Sequence, residues 1–118
     1  MIKNTLYAKY LKERQDIDVL ENKNGFITYK ISGDECFIVD MCIDPEIRAL
    51  GNARLFINEL EKIAKEKSCK YISGNIHLWD KGANNTLIAA LNIGFKVVKA
   101  EQGILVIVKE IGGVSWEV

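Results

Sequence analysis

The run Asp44-Pro45-Glu46-Ile47-Arg48-Ala49-Leu50-Gly51-Asn52-Ala53-Arg54 closes an apolar segment and opens an amphipathic one, and its residue types suit the binding of a diphosphate. The first turn of an α-helix has N–H groups with no carbonyl four positions back, and the helix dipole adds positive potential there. An anion at such a terminus gains about 0.3–1 kcal/mol from the dipole before its hydrogen bonds are counted. A helix starting near Leu50–Ala53 would gather those amides around Gly51, where the missing Cβ lets a phosphate approach. Ala53 has the next smallest side chain, Arg48 and Arg54 add cationic reach, and Pro45 removes a ladder donor at the end of the preceding strand.

The elements that must position this turn follow from periodicity. Ala53, Phe56, Ile57, Leu60, Ile63 and Ala64 lie on one stripe of a helix running to about Lys67. Before it, Glu35–Ile43 carries Phe37, Ile38, Val39, Met41, Cys42 and Ile43 on both strand faces, which predicts a central strand. Lys70–Leu78 reads as a second inner strand, parallel to the first because a helix joins them. Upstream, Leu6, Tyr7, Tyr10 and Leu11 predict a helix from Asn4 to about Arg14. Asp18–Glu21 and Phe26–Ile31 then form a tight hairpin across Asn22-Lys23-Asn24-Gly25, and Ser32-Gly33-Asp34 turns into the central strand. Downstream, Trp79–Ala83 is a loop, and a short helix from about Asn84 to Asn92 ends at Gly94. Phe95–Lys99 and Ile104–Lys109 make a last hairpin across Glu101-Gln102-Gly103. The expectation is a mixed α/β (α+β) sheet with an antiparallel first half, a parallel crossover and an antiparallel end. The segment Gly112–Val118 is either loose or offers Trp116 to a partner.

The 118 residues suit one domain, 1–118, with nearly half of them apolar and a single proline. Net charge is zero, and Lys62, Lys65 and Lys67 alternate with Glu59, Glu61 and Glu66, a solvated helix pattern that gives nucleic acid no basic face. No stretch reaches the roughly 18 apolar residues of a membrane span, and the N-terminus lacks a signal-peptide core. Cys36, Cys42 and Cys69 are odd in number, and two of them sit in apolar, strand-like surroundings; they read as reduced, buried thiols of a cytoplasmic protein. With His77 the only histidine, no metal site is expected.

Arg48-x-x-Gly51-x-Ala53, after Asp-Pro-Glu and before a leucine-rich helix, resembles the R/Q-x-x-G-x-G/A acetyl-CoA signature of the GNAT superfamily of N-acetyltransferases. Asn84 and Asn85 opening a helix that closes at Ile93-Gly94-Phe95 are similar to that family's late helix and its Gly-Phe return to the sheet. The two segments cover about Cys36 to Lys109. The resemblance implies the GNAT-like acyl-CoA N-acyltransferase fold and acetyl-CoA (coenzyme A) as donor. It further implies that Met41, Cys42 and Ile43 pair through their main chain with the pantetheine arm. Ala49, Leu50, Gly51, Asn52 and Ala53, with Arg48 and Arg54, would wrap the pyrophosphate, and Asn84 or Asn85 would cap the late helix and touch the donor. The acceptor would be a primary amine of a small molecule or protein. The N-terminal region has room for only one clear helix where larger relatives have two, and exposed strand edges leave a homodimer open.

Family members often carry a general-acid tyrosine four residues before the glycine of Gly-Phe, a position held here by Ala90. Others place a base nine or eleven residues ahead of the signature arginine, where this chain has Val39 and Phe37. Asp40 has the opposite side-chain parity and is expected to face away from the acceptor. A third location, late on the next strand, offers Asn75 and His77. Histidine can exchange a proton near neutral pH, which makes His77 the catalytic candidate, with Tyr71 and Tyr29 still open. Two readings follow: an N-acetyltransferase acting mainly by juxtaposition, or a GNAT-fold binding or regulatory module. A nucleotide-binding βαβ unit is disfavoured, because neither G-x-x-x-x-G-K-[ST] nor G-x-G-x-x-G follows a strand.

Overall fold

The computed structural model describes residues 5–44 and 51–111. Its elements run α1 (Leu6–Gln15), β1 (Asp18–Asn22), β2 (Gly25–Ser32), β3 (Glu35–Ile43), α2 (Asn52–Glu66), β4 (Tyr71–His77), α3 (Ala83–Ile93), β5 (Lys96–Glu101) and β6 (Ile104–Glu110). The strands form one mixed sheet in the order β1-β2-β3-β4-β6-β5. Among the described residues only β3 and β4 pair in parallel. The predicted order of elements is the one observed, and β3 is central.

The core follows from the periodicity of α2. Phe56, Ile57, Leu60 and Ala64 are buried, and Ala53 and Ile63 pack beside them. They cover Leu20, Ile27, Cys36, Ile43 and Ile72 from four adjacent strands, and α3 adds Ala83 and Ala90 on the same side. Each large aliphatic side chain taken fully out of water contributes roughly 1.5–3 kcal/mol. On the other face α1 covers only the β1–β2 end, through Ala8 and Leu11 against Ile17, Val19 and Phe26.

Two local expectations need correction, while α1 forms as expected with only part of its apolar set buried: Leu11 is buried, whereas Leu6 is 83% exposed and Tyr7 and Tyr10 are exposed too. A helix lying over two strands needs only a narrow seam, which Ala8 and Leu11 supply, while Tyr7 meets Phe26 edge-on at 5.6 Å. The first hairpin is tight, but its loop is Lys23-Asn24, with Gly25 paired to Asn22. Neither loop residue has positive φ. The Asn22 carboxamide oxygen instead accepts the Asn24 N–H at 2.7 Å, and Gly25 is small because a Cβ would run into the Cys42 carbonyl. Asn84 and Asn85 do not cap α3, whose N-cap is Gly82 at φ 84° with no side-chain cap bond.

The remaining punctuation behaves as read. α3 ends at Gly94 in the left-handed region, where its N–H reaches the Ala90 and Leu91 carbonyls. The β5–β6 loop has positive φ at both Gln102 and Gly103, the twist that a two-residue hairpin favours.

Candidate active site

β3 and β4 stay together for three pairs, Glu35 with Tyr71, Cys36 with Ile72 and Phe37 with Ser73. Beyond Phe37, β3 continues only with β2 as far as Ile43, and β4 only with β6 as far as His77. The sheet therefore opens into a V between two neighbouring strands, with α2 behind it.

The lip formed by β3 carries a bulge. Thr28 of β2 pairs with Asp40, yet Tyr29 pairs with Ile38, so Val39 stands outside the ladder. Because paired residues share a face and β2 alternates regularly, the inserted residue reverses the parity of everything after it. Ile38, Met41 and Ile43 consequently point to the α2 side, where they join the core. Asp40 and Cys42 point to the opposite face, together with Phe37, Ser73, Asn75 and His77. The parity opposite to Phe37, from which Asp40 was expected to face away from the acceptor, is thereby overturned: the two share one face. The parity argument assumed an unbroken strand, and nothing in the local sequence marks the bulge. Thr28 is buried, and its Oγ1 donates to the Asp40 carbonyl at 3.3 Å, which pins the irregular turn.

The ladder phase fixes where the main chain of β3 points. Asp44 N–H donates to Asn24 O at 2.8 Å, so hydrogen-bonded pairs recur at Cys42 with Phe26 and at Asp40 with Thr28. Met41 lies between them and turns its N–H and C=O away from β2, toward the V. That N–H donates to Asp40 Oδ1 at 2.9 Å.

At the mouth of the V stands the start of α2. Gly51 is its N-cap at φ 75° and supplies no side-chain cap bond, and a Cβ on Gly51 would have nothing within 4 Å. The position thus requires glycine for its backbone and has open space beside it. Arg54 is partly committed, since Nη2 donates to the Asn92 carbonyl at 2.8 Å and ties the start of α2 to the end of α3. Arg48, Ala49 and Leu50 lie outside the described residues, as do Pro45 and Trp116.

The lip formed by β4 ends in a corner where His77 meets the first two residues of the Trp79–Ala83 loop. The His77 ring stacks on Trp79, with centroids 4.8 Å apart and planes 6° from parallel, and its Nδ1 lies 3.6 Å from Asp80 Oδ2. Trp79 is 65% exposed, and a Cβ on Gly103 would come within 3.2 Å of it, so the indole rests against the β5–β6 turn. An exposed tryptophan beside the sole histidine was the available signal. Asn84 and Asn85 are exposed in the first turn of α3.

The other candidates separate. Tyr29 is buried on the α2 side, where desolvation pushes its hydroxyl up to about 12, and Tyr71 lies at the closed end of the β3–β4 ladder. Ala90 is buried in the core and offers no proton. Cys36 and Cys69 are buried, but Cys42 is exposed, because the bulge turns it out of the core. Burial first, then the neighbouring Cys69, raises the Cys36 thiol to about 12. Among the described residues no cluster of histidine, cysteine and carboxylates could hold a metal ion, and no helix is long and apolar enough to cross a membrane.

A mixed sheet opened between its two parallel strands, with a helix starting at a glycine after the first of them, is the architecture that the sequence resemblance implied. The family model for the acetyltransferase (GNAT) family matches residues 12–89, well over half of the chain. The chain belongs to the GNAT acetyltransferase family. The match begins in the last turn of α1 and stops before Gly94-Phe95, whereas the sequence resemblance ran from Cys36 to Lys109.

Solved structures share the fold. The ribosomal-protein-S18-alanine N-acetyltransferase from Escherichia coli superposes with a TM-score of 0.68 at 10% identity, over 98% of this chain and 82% of its own. PaiA N-acetyltransferase from Thermoplasma acidophilum, in complex with coenzyme A, gives 0.67 at 20% identity, over 85% of this chain and 65% of its own. Nourseothricin acetyltransferase gives 0.63 at 19%, over 75% and 58%. The chain thus spans less than two thirds of the last two proteins. No curated protein sequence matches it.

Proposed function

We propose that this chain is an N-acetyltransferase that moves an acetyl group from acetyl-CoA to a primary amine of a small molecule or protein. The observation that carries the reading is the V between β3 and β4, lined on one side by the outward-turned main chain of Met41 and headed by the start of α2 at Gly51. A pantetheine arm fits beside Met41, Cys42 and Ile43 as an added strand. Gly51, Asn52, Ala53 and Arg54, with Arg48, Ala49 and Leu50 by sequence, fit a pyrophosphate, and Asn84 and Asn85 are exposed near the start of α3.

Acetyl-CoA, when bound, supplies the activated acyl carbon. The chain's own part is first to hold donor and amine in attack position, worth about 7–11 kcal/mol of the barrier. His77, oriented by Asp80 and braced by Trp79, would accept the proton that the amine loses, a contribution of about 10²–10⁴ in rate. With Ala90 at the family's tyrosine position, the departing thiolate takes its proton from water.

A second reading, a CoA-binding module with little activity, is favoured by that buried Ala90 and by the apolar Val39 and Phe37. Two measurements test the proposal. CoA and acetyl-CoA should each raise the melting temperature, and thiol release from acetyl-CoA should appear with some member of a broad amine panel. No thermal shift with either ligand would sink both readings, whereas a shift without thiol release selects the second.

A further inference from the structure

Asp40 is placed strangely for a surface carboxylate. The Val39 bulge turns it onto the face that carries His77, on the opposite lip of the V. Counting about 3.3 Å per residue from the last β3–β4 pair, Asp40 lies roughly 7–10 Å and His77 roughly 13 Å toward the open end. Its carboxylate folds back to accept from the N–H of Met41, the main-chain donor that points into the V. The side chain is exposed, so that bond is made in competition with water. Resting on the acetyl-transfer reading, in which the β3 main chain holds the pantetheine arm, one N–H then has two claimants.

We infer that Asp40 is the acceptor anchor and that the acyl donor releases it. Without donor, the carboxylate is parked on Met41 N–H. A pantetheine carbonyl taking that N–H displaces the carboxylate, which is left on the acceptor face, across from His77, and accepts a hydrogen bond from the ammonium group of the incoming amine. Such a charge-assisted bond is about twice as strong as a neutral one. The anchor is thereby presented only when there is an acetyl group to transfer. No bond is made or broken in this exchange beyond hydrogen bonds, and His77 keeps the proton-accepting role.

The consequence has an unusual sign, because the same substitution should help one ligand and hurt the other. In Asp40→Ala the Met41 N–H is vacant, so CoA should bind about two- to tenfold more tightly, as expected for removing one competing hydrogen bond. The KM for the amine should rise at least tenfold. In Asp40→Asn the carboxamide oxygen can still accept from Met41 N–H, so CoA affinity should stay near the wild-type value while the amine KM rises as in Asp40→Ala. Calorimetric titration of CoA and steady-state kinetics on the three proteins read these effects. The Met41 amide resonance provides a check independent of activity: in the ligand-free wild type it should move as the Asp40 carboxylate is titrated, and with CoA bound it should not. If the wild type binds CoA but Asp40→Ala binds it equally or less well, or if the Met41 amide ignores the titration, the inference is overturned while the acetyl-transfer reading stands. If the wild type binds no CoA, the parent reading falls and this inference falls with it.

Discussion

Val39 is displaced from the β2–β3 ladder, and the displacement decides which neighbours meet water. Deleting it should remove the bulge and leave Asp40 opposite Thr28, on the face it already occupies, so Cys42 should stay open to a thiol reagent; a Cys42 that became protected would mean that the β2 register does not hold that face. Thiol chemistry reports the same feature. One cysteine of three, Cys42, should react with a thiol reagent in the folded protein at pH 8, and the other two only in denaturant. The Cys36 thiol is neutral in the fold to about pH 12 against a reference of 9.0. Its stabilising contribution is therefore complete below about pH 9 and is lost as pH climbs toward 12, so a variant with Cys36→Ala should show a shallower alkaline decline than the wild type. For His77→Ala, acetyl transfer should fall about 10²–10⁴-fold while CoA binding holds; an unchanged rate would remove the imidazole from the chemistry.

Among the elements, α2 divides cleanly into a face that carries stability and an end that begins at the left-handed Gly51. Leu60 is fully buried, so Leu60→Ala should cost about 2–5 kcal/mol. Leu55, on the same helix but 58% exposed, should change stability by no more than about 0.5 kcal/mol when truncated. Gly51→Ala puts a Cβ on a left-handed residue at about 1–2 kcal/mol and should weaken CoA further by filling the open space beside it. This element was legible because six apolar positions at helical spacing leave one solution, and β3 and β4 followed from apolar runs on either side of it. What stayed hidden has one physical cause. The bulge, the outward turn of Cys42, the exposure of Tyr7 and Tyr10 and the corner of His77, Trp79 and Asp80 all depend on what lies across the sheet, and no periodicity within a strand or helix records that. The helix start at Gly51 was legible from the residue types around it, and the position of Asp40 was read backwards for want of the pairing register.

At the scale of the molecule, three parallel pairs join two antiparallel halves, β1-β2-β3 and β4-β6-β5, and α2 spans both. The half-buried ion pair between Lys109 of β6 and Glu61 of α2 adds a second tie. Hydrogen exchange should accordingly show its strongest protection in β2, β3, β4 and β6 and its weakest in β5, every residue of which is exposed. Equal protection across all six strands would show that the halves do not open separately. The bareness of β5 has a further effect. An unpaired outer strand is a template on which another chain can add, and here Val98 breaks the ladder while Lys96 and Lys99 stand on the strand. Bulges and lysines on such a rim obstruct strand-by-strand growth. Concentrated solutions should accordingly stay free of fibrils, and replacing both lysines by valine should bring on aggregation.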